Sequence, residues 1–369
     1  MSKAVLTSTL PANGSVPSVR DTVLGVRTDL NRVLLERSSA IDNALLALLT
    51  GQHFLQLGPA GAAKSLLVRA VSHRITGCIY FEKLLTQFTT PEELLGPIDL
   101  IRYADHGEYR RISKGALQSA HLAFLDEIWK ANSAILNSLL AISNERLLHE
   151  VGMDPQHVPL WSLFGASNET PQDSSLRALD DRFLLREEVC YVAEETSFAQ
   201  LLTAPLDIED VQASCTFDDL RQAKAEALAV KGTQEVLAAL LALRHALSAD
   251  GIVVSDRKWR KCAMLLKARA WLDGHAVLDI EDLTCLVHAL WTDPKERKTV
   301  ERHVYTLACP LHLRAVEVED NAEEVFKSLP KENAADFHAQ AENAVAQIRD
   351  MHTALAGDIR ASKARNTAR

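Results

Sequence analysis

No stretch of 18 uncharged apolar residues occurs in this 369-residue sequence, so nothing in it is expected to span a bilayer. Met1 to Arg20 hold Pro, Ser and Thr but no apolar core beside a cleavage site, and 1–19 read as a disordered arm rather than a leader. There is no C-x-x-C pair. The six cysteines (Cys78, Cys190, Cys215, Cys262, Cys285 and Cys309) are widely spaced, which argues against zinc and disulfide frameworks and suits a reduced, cytoplasmic compartment. They are expected to be buried small hydrophobes. A basic surplus is lacking too: the net charge of −9 argues against a main surface that grips nucleic acid. No repeat of solenoid period is present. What remains is a globular composition, 47% hydrophobic and 24% charged, in a chain long enough for two or three domains.

The most informative stretch runs from Phe54 to Leu67. An apolar run (Phe54, Leu55, Leu57) ends at Gly58, and a helix-like apolar run begins at Ser65. Between them stands Gly58-x-x-Gly61-x-x-Lys64-Ser65, in the order strand, phosphate loop, helix that a P-loop requires. Glycines let backbone N–H groups wrap phosphates, and the following helix N-terminus adds positive potential. Gly58, Pro59, Ala60, Gly61, Ala62, Ala63, Lys64, Ser65 and Leu66 are therefore the candidate nucleotide cradle. Lys64 is expected on the β- and γ-phosphates of ATP and Ser65 on Mg²⁺. The pattern asks for glycine before the lysine, and this chain has Ala63. Alanine is tolerated there if the residue is right-handed helical. The other reading is an ordinary Gly-Pro turn into a helix.

A second apolar run, His121 to Leu125, ends in Asp126 and Glu127. An acid at such a strand end helps hold Mg²⁺, the expected role of Asp126. A second acid, Glu127, can polarise the attacking water. The competing reading is an exposed pair capping the next helix, and the P-loop some sixty residues upstream weighs against it. Leu163 to Asn168 is another apolar strand, ending in an amide that orients the water or touches the γ-phosphate.

Around these, Arg20–Leu49 reads as helix with a break near Ser38-Ser39, and Leu35-Glu36-Arg37-Ser38 is placed to border a bound base. Thr90-Pro91-Glu92-Glu93 is a helix start. Residues 98–114 and 147–160 read as hairpin-like excursions. The polar segment 196–216 is taken as a linker, and from Phe217 to Trp291 every segment reads as helix. The expected architecture is an α/β nucleotide-binding domain over 20–195, an all-α lid over 217–300, and a helical tail over 301–369 with a frayed basic end.

Taken together, Gly-Pro-Ala-Gly-Ala-Ala-Lys-Ser (58–65), Phe-Thr-Thr-Pro-Glu-Glu-Leu-Leu-Gly-Pro (88–97), Phe-Leu-Asp-Glu-Ile-Trp-Lys-Ala-Asn (124–132), Ile-Leu-Asn-Ser-Leu-Leu-Ala-Ile-Ser-Asn-Glu-Arg (135–146), Ala-Ser-Asn-Glu (166–169) and Val-Ser-Asp-Arg-Lys-Trp-Arg-Lys (254–261) resemble the MoxR family of AAA+ ATPases, nearest the RavA branch. That branch also carries alanine before the P-loop lysine. The resemblance is dense from about Arg20 to Trp291 and runs out after about residue 300. It implies a P-loop AAA+ core of parallel sheet flanked by helices, with a helical lid. Asp126 and Glu127 match the Walker B pair, Asn168 sensor 1, Arg182 the arginine finger and Arg257 sensor 2. Residues 99–115 match the helix-2 insert and 147–160 the pre-sensor-1 hairpin. It further implies hexameric rings, a von Willebrand A-domain partner and chaperone-like remodelling of a protein client that the sequence does not name.

Two alternatives stay open for single residues. Arg182 can be a salt bridge to Asp180 or Asp181 with Arg186 as competing finger, and Arg257 a surface arginine near a cap. For the whole chain the rivals are a nucleic-acid motor or loader and a nucleotide-dependent scaffold with low turnover. Salt-dependent DNA binding separates out the first, and single-turnover hydrolysis the second.

Overall fold

The computed structural model describes residues 17–108, 110–150, 154–171, 174–203, 207–311 and 340–349, with a few single positions beyond 313. In chain order the elements are α1 (Val19–Val33), α2 (Ser38–Thr50), β1 (His53–Leu57), α3 (Lys64–His73), β2 (Ile75–Thr76), β3 (Tyr80–Leu84), α4 (Pro91–Leu95), α5 (Leu100–His106), β4 (Leu122–Asp126), α6 (Ser133–Glu145), β5 (Leu147–Leu148), β6 (Gln156–His157), β7 (Ser162–Ser167), α7 (Ser174–Asp180), β8 (Phe183–Glu188), α8 (Glu195–Thr203), β9 (Cys215–Thr216), α9 (Phe217–Ala229), α10 (Gln234–Ala249), α11 (Asp256–Asp273) and α12 (Arg297–Ala308). Among the described residues no helix is long and apolar enough to cross a membrane.

Five strands form one parallel sheet in the order β3-β4-β7-β1-β8. Strands covered by helices on both faces read as unbroken apolar runs. Accordingly every residue of β1 and of β7 is buried. Phe54 and Phe164 meet edge to face at 5.5 Å across the β1–β7 pair, and Phe124, Phe164 and Phe183 are fully buried. Gly165 makes room for this packing: a Cβ on it would lie 3.0 Å from the Phe183 ring, which would have to shift to admit it.

Caps set the helix starts. Ser18 and Asp21 bond each other's backbone at the head of α1, and Thr90 and Glu93 do so at α4, with Pro91 following. The break expected near Ser38 falls at 34–37. Residues 98–114 are not a hairpin. They hold the helix α5, closed at its base by an antiparallel bridge between Ile98 and Arg111. The second excursion is a hairpin, with β5 paired antiparallel to β6 around 151–153, which lie outside the described residues.

The chain divides into two compact units, one of 1–230 with 263–276 and one of 231–262 with 277–369. The expected linker, 196–216, holds α8 and β9 within the first unit, and α9, expected in the lid, belongs there as well. Phe217 at the head of α9 stacks on His121 at 4.6 Å and meets Trp161 edge-on at 5.4 Å. The C-terminal part of α11 is fixed in the same unit by Arg269 to Asp42 and by Trp271 Nε1 donating to Glu226.

In the second unit, α10 buries Val236, Ala239, Leu243 and Leu247, and α12 buries Val300 and Val304. The segment Ile280–His288, expected as α-helix, is a 3₁₀ run started by a capping box of Asp279 and Asp282. Of the expected tail helix, 340–349 is helical, and most of the remainder lies outside the described residues. The cysteines divide. Cys215, Cys262 and Cys285 are buried, Cys78 and Cys309 half-buried, and Cys190 is exposed, against the expectation of burial.

Candidate nucleotide site

In a parallel sheet, ligands sit beyond the carboxyl ends of the strands. β1, β7 and β4 are neighbours and end at Leu57, Ser167 and Asp126, so the P-loop, Asn168 and the acidic pair leave the sheet along one edge. The Gly58 N–H donates to the Ser167 carbonyl at 3.0 Å, tying the loop's first residue to the end of β7.

Gly58 is demanded by close approach: a Cβ there would lie 2.1 Å from the Val189 carbonyl oxygen. Gly61 takes φ +79° in open space. Ala63 corrects the sequence reading. It is not right-handed helical but sits at φ 64° and ψ 25°, left-handed, as the N-cap of α3. An L-residue held there costs about 1–2 kcal/mol. Of the four non-glycine residues with positive φ among the described residues, three (Glu36, Ala63 and Glu127) belong to this region; the fourth is Arg146. Strained backbone of this kind concentrates at functional sites.

The Lys64 ammonium is buried and folded back on the loop, donating to the carbonyls of Gly58 at 2.6 Å and Pro59 at 2.8 Å. Burial pushes its pKa down, and the nearby charges of Asp126 and Glu127 push the other way. Ser65 and Leu66 come next, both half-buried in the first turn of α3.

At the end of β4, Asp126 is half-buried and its Oδ1 accepts the Glu127 N–H at 3.0 Å. Burial raises its pKa, with the Glu127 charge adding to the rise and Lys64 opposing it. Glu127 itself is left-handed, at φ 53° and ψ 44°, and the chain passes from it directly into the 3₁₀ turn Ile128–Lys130. The Glu127 Oε2 is sealed from solvent, 3.3 Å from the Lys130 ammonium but off hydrogen-bond geometry. Two adjacent carboxylates and a lysine, beside a glycine cradle and a helix N-terminus, are a donor set that fits a nucleotide triphosphate with a divalent cation.

Asn168 is exposed just past β7, and the neighbouring Ser167 hydroxyl accepts the Glu169 N–H. Arg182 lies in the turn between α7 and β8, half-buried, with Asp181 Oδ2 3.7 Å from its Nη1. Arg186 is committed elsewhere. Its buried guanidinium pairs with Asp180 at 2.9 Å and donates to the carbonyls of Asp180 and Phe183. Phe183, next to Arg182, meets the Trp129 ring edge-on at 6.2 Å, and Trp129 lies two residues beyond Glu127. Arg257 stands exposed in the first turn of α11, in the second unit, where the Lys258 N–H donates to Ser255 Oγ and the buried Lys258 ammonium to the Trp291 carbonyl.

Sequence reasoning did not find the segment after β8. The Tyr191 hydroxyl donates to the Ala60 carbonyl at 3.0 Å, and the N–H groups of Ala193 and Glu194 donate to the Glu36 carboxylate. Arg37 donates to the carbonyls of Ala62 and Cys190. The one signal was the Glu36-Arg37 pair in the break between two helical runs.

Comparison with known proteins agrees with this geometry. Residues 21–229 match the family described as the MoxR domain in the MoxR–vWA–β-propeller ternary systems, and 235–304 match an AAA lid domain. Two uncharacterised proteins of Methanocaldococcus jannaschii are similar. One is 38% identical over 77% of this chain and 75% of its own length, the other 37% identical over 83% and 79%. A crystal structure of a provisionally assigned ATPase of Cytophaga hutchinsonii has the same fold, at TM-score 0.61 and 17% identity, covering 78% of this chain and 94% of that one. With a parallel α/β core ending in a P-loop and an acidic pair, and with that family match over more than half its length, the chain belongs to the MoxR family of AAA+ ATPases.

Proposed function

We propose that this protein hydrolyses ATP with Mg²⁺ and uses the cycle, as a ring of six subunits, to remodel protein clients beside a von Willebrand A-domain partner. The observation that carries the ATPase reading is the shared strand edge of β1, β7 and β4, which ends in the P-loop, Asn168 and Asp126-Glu127. Bound Mg²⁺ would neutralise charge on the phosphates and stabilise it as it develops. The chain's own residues do the rest. Lys64 exchanges the carbonyls of Gly58 and Pro59 for phosphate oxygens. Ser65 and Asp126 would hold the cation. Glu127 takes the proton of the attacking water, Asn168 orients that water, and Gly58 to Leu66 cradle the phosphates with backbone N–H groups.

Arg182 is the finger we assign to the neighbouring subunit's site, since Arg186 is consumed by Asp180. Arg257 is the lid residue that reports the γ-phosphate. The RavA-like wording of the motifs, Ala63 included, is our basis for placing the chain near that branch. The partner assignment is supported by the description of the matching family, which names MoxR domains in systems with vWA and β-propeller proteins.

Mixing inactive variants tests the shared site. Arg182→Ala is expected to bind ATP without hydrolysing it, and Lys64→Ala not to bind it. Mixed rings should recover activity, because an intact P-loop then meets an intact finger. Mixed rings that form but stay inactive would rule the shared site out.

A further inference from the structure

Among the described residues three arginines are buried, and two of them have counter-charges. Arg74 pairs with Asp29 at 2.8 Å and Arg186 with Asp180 at 2.9 Å. Arg146 is bound by carbonyls, but it closes the C-terminus of α6, where the helix dipole is negative. Arg37 bonds no carboxylate and closes no helix C-terminus. It is only 7% exposed, and its hydrogen bonds all go to neutral carbonyls, those of Glu36, Ala62 and Cys190 at 2.8, 3.2 and 2.6 Å. Its Nε is sealed and has no partner. The neighbouring Glu36 carboxylate is turned to the N–H groups of Ala193 and Glu194. The helix end nearest the Ala62 carbonyl is the N-terminus of α3, which is positive. Burial accordingly pushes the Arg37 pKa down, and Glu36 offsets this in part.

A buried cation bonded only to neutral groups beside a positive helix end is costly unless an anion completes it. We propose that Arg37 is a nucleotide-positioning residue: it clamps the P-loop to the strap 190–194 and adds a second buried positive charge, after Lys64, to the phosphate loop. The strap is the other half of the device. Its Tyr191 hydroxyl holds Ala60, Arg37 holds Cys190 and Ala62, and Glu36, in left-handed backbone, holds the strap's last N–H groups. The clamp therefore joins the phosphate loop to the strap through the Glu36-Arg37 dipeptide. Phosphate drawn to the loop gives Arg37 the negative charge it lacks and tightens the clasp. This inference rests on the ATP reading of the same loop.

The test uses the full chain as wild type, Arg37→Met and Arg37→Lys, with adenosine, ADP and ATP titrated by calorimetry. A charge acting on phosphate predicts a loss that grows with phosphate number. Arg37→Met should weaken ATP about 10–100-fold, ADP less, and adenosine hardly at all. Arg37→Lys, which keeps the charge but not the fork, should regain much of the ATP affinity. Equal losses for adenosine and ATP, or unchanged ATP binding, would overturn the proposal. A second measurement needs no variant: ATP should slow amide exchange at Ala193 and Glu194 in the wild type, and unchanged exchange there overturns the clasp. If the wild type binds no ATP, the ATP reading itself fails and takes this one with it. If the wild type binds ATP and the adenosine-to-ATP gradient is missing, only the role of Arg37 is lost.

Discussion

Replacing Ala63 with glycine should stabilise the protein. Ala63 sits at φ 64° and ψ 25°, where a Cβ crowds the following carbonyl at a cost of about 1–2 kcal/mol. Glycine removes that cost but gains about 0.5–1 kcal/mol of conformational freedom in the unfolded chain. The net gain is about 0.5–1 kcal/mol, or about 1–4 °C in unfolding temperature for a domain of 150–250 residues. Two loop glycines calibrate the measurement. Gly61→Ala meets no atom within 4 Å and carries the same balance in reverse, so it should lose about 0.5–1 kcal/mol. Gly58→Ala drives its Cβ to 2.1 Å from the Val189 carbonyl oxygen and should lose the most. Urea unfolding of the three variants, monitored by tryptophan fluorescence, gives the order directly. A loss of stability in Ala63→Gly, or no change while Gly61→Ala is harmful, would refute the left-handed backbone at Ala63.

The site sets three further outcomes. Asp126 has a folded-state pKa raised by burial and by Glu127, so its contribution to stability is present at low pH and is lost as pH rises through that value. Asp126→Asn should therefore raise the unfolding temperature of the nucleotide-free protein at neutral pH. The gain should shrink as the medium is acidified towards the ordinary carboxylate range, and added Mg²⁺-ATP should no longer protect the variant; thermal unfolding across pH reads all of this. Arg186→Ala leaves Asp180 buried without its cation and should cost about 3–5 kcal/mol in denaturant unfolding. Arg182→Ala, whose Asp181 partner is 3.7 Å away and partly exposed, should cost far less.

Much of this was legible before the fold. Leu122–Leu125 and Leu163–Ala166 are apolar runs, and Phe54–Leu57 is one but for the buried Gln56, because helices cover both faces of their sheet; the glycine, the acids and the amide that follow their strands mark where the ligand edge begins. The start of α4 was legible because Thr90, Pro91 and Glu93 act within one turn. What escaped reading depends on residues far apart in the chain. α9 looks like any lid helix until Phe217 finds His121 and Trp161. α5 looks like a hairpin because its turn signal at Asp105-His106-Gly107 is real, but Gly107 in left-handed backbone ends a helix there. The strap after β8 has no motif of its own; its place is fixed by side chains from Glu36 and Arg37, some 150 residues earlier. Ala63 was misread for the opposite reason. Its conformation is set by the P-loop itself and overrides the preference of alanine.

Single-turnover hydrolysis by the wild type and Glu127→Gln, each loaded with Mg²⁺-ATP, tests the central claim most directly. The wild type should convert bound ATP to ADP and phosphate. Glu127→Gln should bind ATP as tightly and convert it about 10²–10⁴ times more slowly, because an amide cannot accept the water's proton. Conversion by the variant at a rate near the wild type's, or none by the wild type itself, would contradict the account.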